Sequence, residues 1–256
     1  MTSLRVAVDA ILAAQMQTEK PLAIILAGHN GSGKSTMWRR SLADTLRIPL
    51  INADRMMLSI LPEAGDDGFL AAWAAELRDT DRGWMSVAQQ GVNAFAGHAM
   101  AAQVPFAMET VFSYWEPQED GRILSKVDLV RDMQAAGYFV LLFFVGLANP
   151  ELSILRVQTR VSSGGHGIEE GVLRRRFPRT QQAIKLAVDV ADASILTDNS
   201  RSHREAFTVC RVQIGGQEEF DVRRSASPAA LILNWLEIVA PDAEAQAPLE
   251  TDPGRQ

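Results

Sequence analysis

The chain has 256 residues, 47% of them hydrophobic, enough to bury one large domain or two small ones around a substantial core. Its net charge of −6 argues against a general nucleic-acid binder, whose footprint is basic. The single cysteine, Cys210, excludes an internal disulfide and a cysteine metal cluster and fits a reducing compartment; it lies in an alternating apolar run and reads as a small buried side chain.

In chain order, residues 3–17 put Leu4, Val8, Ile11 and Leu12 on one helical face. Asp9 interrupts this stretch and no cleavage site follows, so a secretory leader is not expected. The longest apolar run, residues 138–148, is too short to span a bilayer. The expectation is a cytoplasmic protein with no membrane partner.

Pro21 opens a buried strand over residues 22–26, and Gly28, Gly33, Lys34 and Ser35 then fit the phosphate-binding pattern G-x-x-x-x-G-K-[ST]. Glycines let the backbone curl so that successive N–H groups face phosphate oxygens, and the following helix adds the positive end of its dipole. Residues Gly28, His29, Asn30, Gly31, Ser32, Gly33, Lys34, Ser35 and Thr36 form the expected nucleotide cradle. Lys34 would reach the β- and γ-phosphates and Ser35 would ligate Mg²⁺. The helix runs over residues 34–46, with apolar spacing at Met37, Trp38, Leu42 and Leu46.

A short second strand, residues 48–52, stops at Ala53-Asp54. Two Ala-rich helical stretches follow at 68–79 and 84–102, broken at Asp81-Arg82-Gly83. Residues 104–108 read as a third strand closed by Glu109, and a turn through Glu116-Pro117 leads into a helix at about 120–136 ended by Gly137. Residues 138–145 are the most strand-like run, a fully buried centre strand. Asn149-Pro150 starts a helix to about residue 162, residues 163–167 form a glycine joint, helix resumes over 169–190, and a fifth strand covers 193–196.

Alternating strands and helices predict a three-layer α/β sandwich of the P-loop NTPase type, with a mostly parallel central sheet, helices on both faces and an arginine-bearing lid. Ligands then gather at the strand carboxyl ends, which carry Gly28, Asp54, Glu109, Gly146 and Asp198. A hairpin over 207–222 and a helix over 228–238 make a small C-terminal extension, and residues 241–256 are expected to be disordered. The organisation is one domain over residues 1–240: an amino helix to 20, a core over 21–200 and the hairpin-helix extension over 201–240.

There is no Asn-Lys-x-Asp element for guanine, and the centre strand over 138–145 does not end in an acid, so the usual water-activating ATPase layout is missing. What remains suits a small-molecule kinase. Such chemistry needs an acceptor-orienting base, a metal and positive charge around the transferring group. Asp54 is the candidate base, or else the N-cap of a helix over 55–61. Glu109 is placed to hold the acceptor hydroxyl or a metal-bound water, with Thr110 adding a hydrogen bond. Arg156 and Arg160 share a helix face, and Arg174, Arg175 and Arg176 occur in a row, of which one or two can face phosphates.

Residues 27–36, Asn52-Ala53-Asp54, residues 106–110, residues 144–147, Gly164-Gly165-His166, residues 174–177 and Asp198-Asn199-Ser200 together resemble the zeta-toxin-type phosphate-loop kinases, in particular their chromosomal branch. The likeness covers about residues 21–200. It implies ATP and Mg²⁺ as cofactors, phosphorylation of a sugar hydroxyl of UDP-N-acetylglucosamine or a similar molecule, and a possible antitoxin partner. It also implies Asp54 as base, Glu109 on the acceptor, and Arg160 with either Arg175 or Arg176 as the positive clamp. Residues 56–103, which should shape the sugar pocket, match no motif of that family. The reading from another class is an ATP-binding regulatory module with little or no turnover.

Overall fold

Strand β1 (Leu22–Gly28) is buried at every position, and its pleat divides it between two cores. Ala23, Ile25 and Ala27 face one cluster, and Leu22, Ile24 and Leu26 face the other. A computed structural model describes residues 2–242; the tail expected to be disordered lies, beyond residue 242, outside the described residues. Helix α1 (Leu4–Met16) precedes β1, with Ser3 as its N-cap, and packs Ala7, Val8 and Ile11 under the sheet.

After the phosphate loop the chain forms α2 (Lys34–Met37), a π-helical turn at Trp38–Leu42 and α3 (Ala43–Leu46). The expected single α-helix is therefore interrupted. Strand β2 (Leu50–Ile51) leads to α4 (Ala53–Ser59), then α5 (Ala72–Thr80) and α6 (Arg82–Ala101), the last capped by Asp81 through Trp84 N–H. Strand β3 (Phe106–Thr110) follows.

The expected helix at 120–136 is corrected to a small hairpin, β4 (Trp115–Pro117) with β5 (Ile123–Ser125), followed by α7 (Val127–Ala135). Asp120-Gly121 makes the turn: Gly121 has φ +79° and the Asp120 carboxylate accepts from Arg122 N–H at 3.0 Å. Turn chemistry overrides the helical spacing there.

Strand β6 (Phe139–Gly146) is buried throughout and alternates as β1 does: Val140, Leu142 and Phe144 into one core, Leu141, Phe143 and Val145 into the other. Each of these large side chains, fully buried, contributes roughly 1.5–3 kcal/mol. Helix α8 (Pro150–Val161) is capped by Asn149 with Pro150 at its first position. Helix α9 (Glu170–Val190) and strand β7 (Ala193–Asp198) complete the core.

The C-terminal hairpin, β8 (Thr208–Ile214) with β9 (Gln217–Asp221), extends the main sheet itself. It joins the main sheet antiparallel to β7, giving the order β2-β3-β1-β6-β7-β8-β9 with parallel pairing up to β7. Helix α10 (Ala230–Val239) buries Trp235 edge-on against Phe144, centroids 5.7 Å apart. No helix among the described residues is long and apolar enough to cross a membrane.

Candidate active site

The strand order places the site. With β1 flanked by β3 and β6, the loop after β1 lies at the carboxyl edge between two neighbouring strand ends. Its last glycine, Gly33, has φ +94°, and a Cβ there would lie 2.7 Å from Asn199 Nδ2. Both conformation and space require glycine.

The loop is braced from outside by α8 and the end of β7. Ser153 Oγ donates to Asn30 O at 2.7 Å, and Asn199 Nδ2 donates to Ser32 O at 2.8 Å. Arg156 donates to Asn199 O at 2.6 Å and Gly31 O at 3.5 Å, so this arginine holds backbone. Asp198 is fully buried and accepts from Ser200 Oγ, Arg201 and Trp235 Nε1. Its carboxylate is committed to the fold.

Inside the loop, Lys34 is buried and donates to Gly28 O at 3.1 Å and His29 O at 3.0 Å. Burial pushes its pKa below the usual lysine value, against the pull of the Glu109 and Asp54 carboxylates; the Arg160 charge adds to the lowering. These three side chains therefore share one electrostatic neighbourhood with the loop lysine. His29 is buried, stacked face-to-face on Phe177 with centroids 3.8 Å apart, and edge-on to Phe144. Burial, with the Lys34 charge, lowers its pKa to about 3, so the ring is neutral. Neither ring nitrogen has a protein partner, nor does Ser32 Oγ.

Ser35 Oγ donates to Glu109, 2.8 and 2.9 Å from its two oxygens, and Asn52 Nδ2 donates to the same carboxylate at 2.7 Å. The register explains this meeting: β3 pairs directly with β1, Leu26 opposite Glu109 and Ala27 opposite Thr110. An acid absent from the end of β6 is thus supplied by the other neighbour of β1. A hydroxyl and a carboxylate are hard oxygen donors of the kind Mg²⁺ takes. Thr110 Oγ1 instead accepts from Phe112 N–H at 3.3 Å, closing a local turn.

Asn52, known from sequence only as part of the Asn52-Ala53-Asp54 block, has a role of its own. Its Oδ1 accepts from Arg55 N–H at 3.1 Å, so Asn52, not Asp54, caps α4. The capping alternative for Asp54 is corrected, and its carboxylate stands exposed in the first turn.

The arginine run separates by helix phase. Arg174 pairs on the surface with Glu151 at 2.8 Å and Glu170 at 2.9 Å. Arg175 is exposed, whereas Arg176 is half-buried; burial lowers its pKa and the Asp54 carboxylate acts against that. Arg160 is exposed and donates to His166 O at 2.7 Å. Glu109 meets Ser35 and Asn52 directly, Asp54 and Arg160 act on Lys34 by charge, and Asp54 acts likewise on Arg176; Thr110 and Arg174 are engaged elsewhere.

No family model matches the chain. A Haemophilus influenzae protein described as an "Uncharacterized protein" is 28% identical over 155 residues, covering 60% of this chain and 91% of that protein. Among solved structures, the AvrRxo1-ORF1:AvrRxo1-ORF2 complex with sulphate ions aligns with a TM-score of 0.59 at 16% identity, over 92% of this chain and 70% of that one. The corresponding complex with ATP gives 0.57 at 14%, with the range of coverage again 92% and 70%. A structure of the PezAT chromosomal toxin-antitoxin system of Streptococcus pneumoniae gives 0.50 at 13%, over 93% of this chain and 88% of that one. At these identities the likeness is one of fold, and at that level it agrees with the resemblance read from the sequence: the chain is an α/β protein with a mostly parallel sheet covered by helices on both faces.

Proposed function

We propose that the chain is an ATP-dependent phosphotransferase acting on a hydroxyl of a small molecule, with a nucleotide sugar such as UDP-N-acetylglucosamine as the first candidate acceptor. The observation that carries this reading is the convergence on the phosphate loop of two acids of different surroundings. Glu109 is fixed by Ser35 and Asn52, while Asp54 is exposed and free of the cap. A module that only binds ATP needs Lys34 and Ser35 but gains nothing from a second, solvent-facing carboxylate.

In this reading residues 28–36 cradle the triphosphate and Lys34 leaves its two loop carbonyls for phosphate oxygens. Ser35 and Glu109 hold Mg²⁺, which when bound neutralises charge on the phosphates. Asp54 accepts the acceptor hydroxyl's proton, and Arg160 with Arg176 balances the transferring charge. The toxin-antitoxin setting of one structural neighbour supports a protein antitoxin as partner, and the lack of any membrane-crossing helix among the described residues accords with a cytoplasmic setting.

The test is mass spectrometry of the protein incubated with ATP, Mg²⁺ and a panel of nucleotide sugars and other small hydroxyl compounds, with Asp54→Asn as control. One added phosphate on a panel member, absent from the control, supports the reading and names the acceptor. ATP bound with no phosphorylated product across the panel favours the regulatory module.

A further inference from the structure

The glycine joint at 163–167, between α8 and α9, is clasped from two sides. On one side stands α5. Arg78, buried despite its charge, donates to Gly164 O at 2.9 Å and forms a fork with Asp79 at 2.7 and 2.8 Å. Asp79 Oδ1 meets His166 Nδ1 at 2.7 Å. The Arg78 guanidinium holds the Asp79 carboxyl below the usual carboxylate range, so Asp79 is an ionised acceptor and His166 carries its proton on Nδ1.

On the other side stands Arg160. Its Nη2 donates to the backbone oxygen of His166 at 2.7 Å, and its own carbonyl accepts from Gly165 N–H at 3.0 Å. The approach leaves no room for side chains. A Cβ on Gly165 would lie 2.5 Å from Arg160 Cγ, and one on Gly164, at φ +81°, would lie 2.4 Å from Gly68 O. A buried arginine on the Gly164 carbonyl, two glycines and an oriented imidazole thus fix the joint, and the joint's His166 carbonyl holds Arg160.

We propose that Asp79 and His166 are positioning residues for Arg160, tying the α5 segment to the arginine clamp through the glycine joint. The Asp79–His166 bond fixes the joint, the joint fixes the His166 carbonyl, and the carbonyl fixes a guanidinium whose charge is felt at Lys34. An acceptor that moves the 68–80 segment then adjusts the phosphate clamp through this chain. The inference rests on the kinase reading for its effect on turnover.

The test is a substitution cycle at His166 and Arg160. Asparagine at 166 keeps a donor near the Nδ1 position; glutamine fills similar space but misplaces it; alanine removes it. Expected are a fall in kcat of about tenfold for His166→Ala and His166→Gln, with a smaller rise in KM for ATP, and recovery to within about threefold in His166→Asn. The Arg160→Ala/His166→Ala double variant should be no slower than Arg160→Ala, because both act through one contact. Losses that multiply, or an asparagine no better than glutamine, overturn the proposal, and the Asn/Gln pair decides it if the alanine variant fails to fold. If the wild type binds ATP but transfers phosphate to nothing, the kinase reading falls separately. The same cycle is then read by calorimetry in ATP–Mg²⁺ affinity, where coupled effects support the positioning role and additive ones overturn it. A wild type that binds no ATP overturns both.

Discussion

Ser35 Oγ and the Glu109 carboxylate are hydrogen-bonded across 74 positions of sequence, 2.8 and 2.9 Å from the two acid oxygens. Asn52 holds the same carboxylate from a second direction at 2.7 Å. A serine that also ligates a metal must present a lone pair to it, and donating its proton to an acid leaves that lone pair available. Removing the charge of Glu109 while keeping its shape should therefore act on the metal. Glu109→Gln is expected to raise the Mg²⁺ concentration for half-maximal transfer about tenfold or more. Its ATP affinity without divalent metal should match the wild type. An unchanged Mg²⁺ titration together with a raised KM for the acceptor would move Glu109 to the acceptor side.

Asp54 carries a different expectation because it does not cap its helix. Asn52 performs the capping, and Asp54 is exposed. Asp54→Asn should leave the melting temperature and ATP binding nearly unchanged while lowering transfer by roughly 10²–10⁴-fold, the usual effect of a lost general base. Turnover within a factor of about two of wild type would remove the residue from the chemistry.

Arg175 and Arg176 are adjacent in sequence but about 100° apart around the helix. Arg176 is half-buried within the field of Asp54, and Arg175 is exposed. Arg176→Ala is expected to lower kcat by about 10²-fold or more, with a smaller change in ATP affinity, whereas Arg175→Ala should stay within about threefold. Steady-state kinetics on both variants decide it, and the reverse ranking would mean that α9 rotates when nucleotide binds.

How much of this was legible beforehand follows from the range of each signal. The phosphate loop is local: strand, glycines, lysine and helix occur within 20 residues, so the cradle could be read from residue order alone. The buried strands β1 and β6 announced themselves as apolar runs. From sequence Glu109 stands open between the acceptor hydroxyl and a metal-bound water, because strand order is not written locally; only the pairing of β3 with β1 puts it on Ser35. Asn52 shows no role of its own in sequence beyond its Asn52-Ala53-Asp54 block, because capping and carboxylate contact use different atoms of one amide and only the fold brings Glu109 to it. The β4–β5 hairpin was hidden by a helical spacing that Asp120-Gly121 overrides. The Asp79–His166 bond spans 87 positions and leaves no local trace.

His29 offers a prediction independent of any substrate. Its ring lies flat on Phe177, and burial with the Lys34 charge lowers its pKa from 6.5 to about 3. Between those values the unfolded chain binds a proton that the folded chain refuses, so the stabilisation is complete above pH 6.5 and is lost as the pH falls toward 3. The slope approaches about 1.4 kcal/mol per pH unit, so roughly 2 kcal/mol should be lost between pH 6.5 and 5. His29→Phe keeps the stack and the backbone carbonyl that Lys34 uses but cannot take up a proton. Any packing strain from the larger ring is the same at every pH and cancels in the comparison. Urea unfolding of both proteins without nucleotide, at pH 7 and pH 5, should show the wild type losing roughly 2 kcal/mol more than the variant. Equal losses would mean that the ring is protonated in the folded chain, through a charge partner or water reaching its two unpartnered nitrogens.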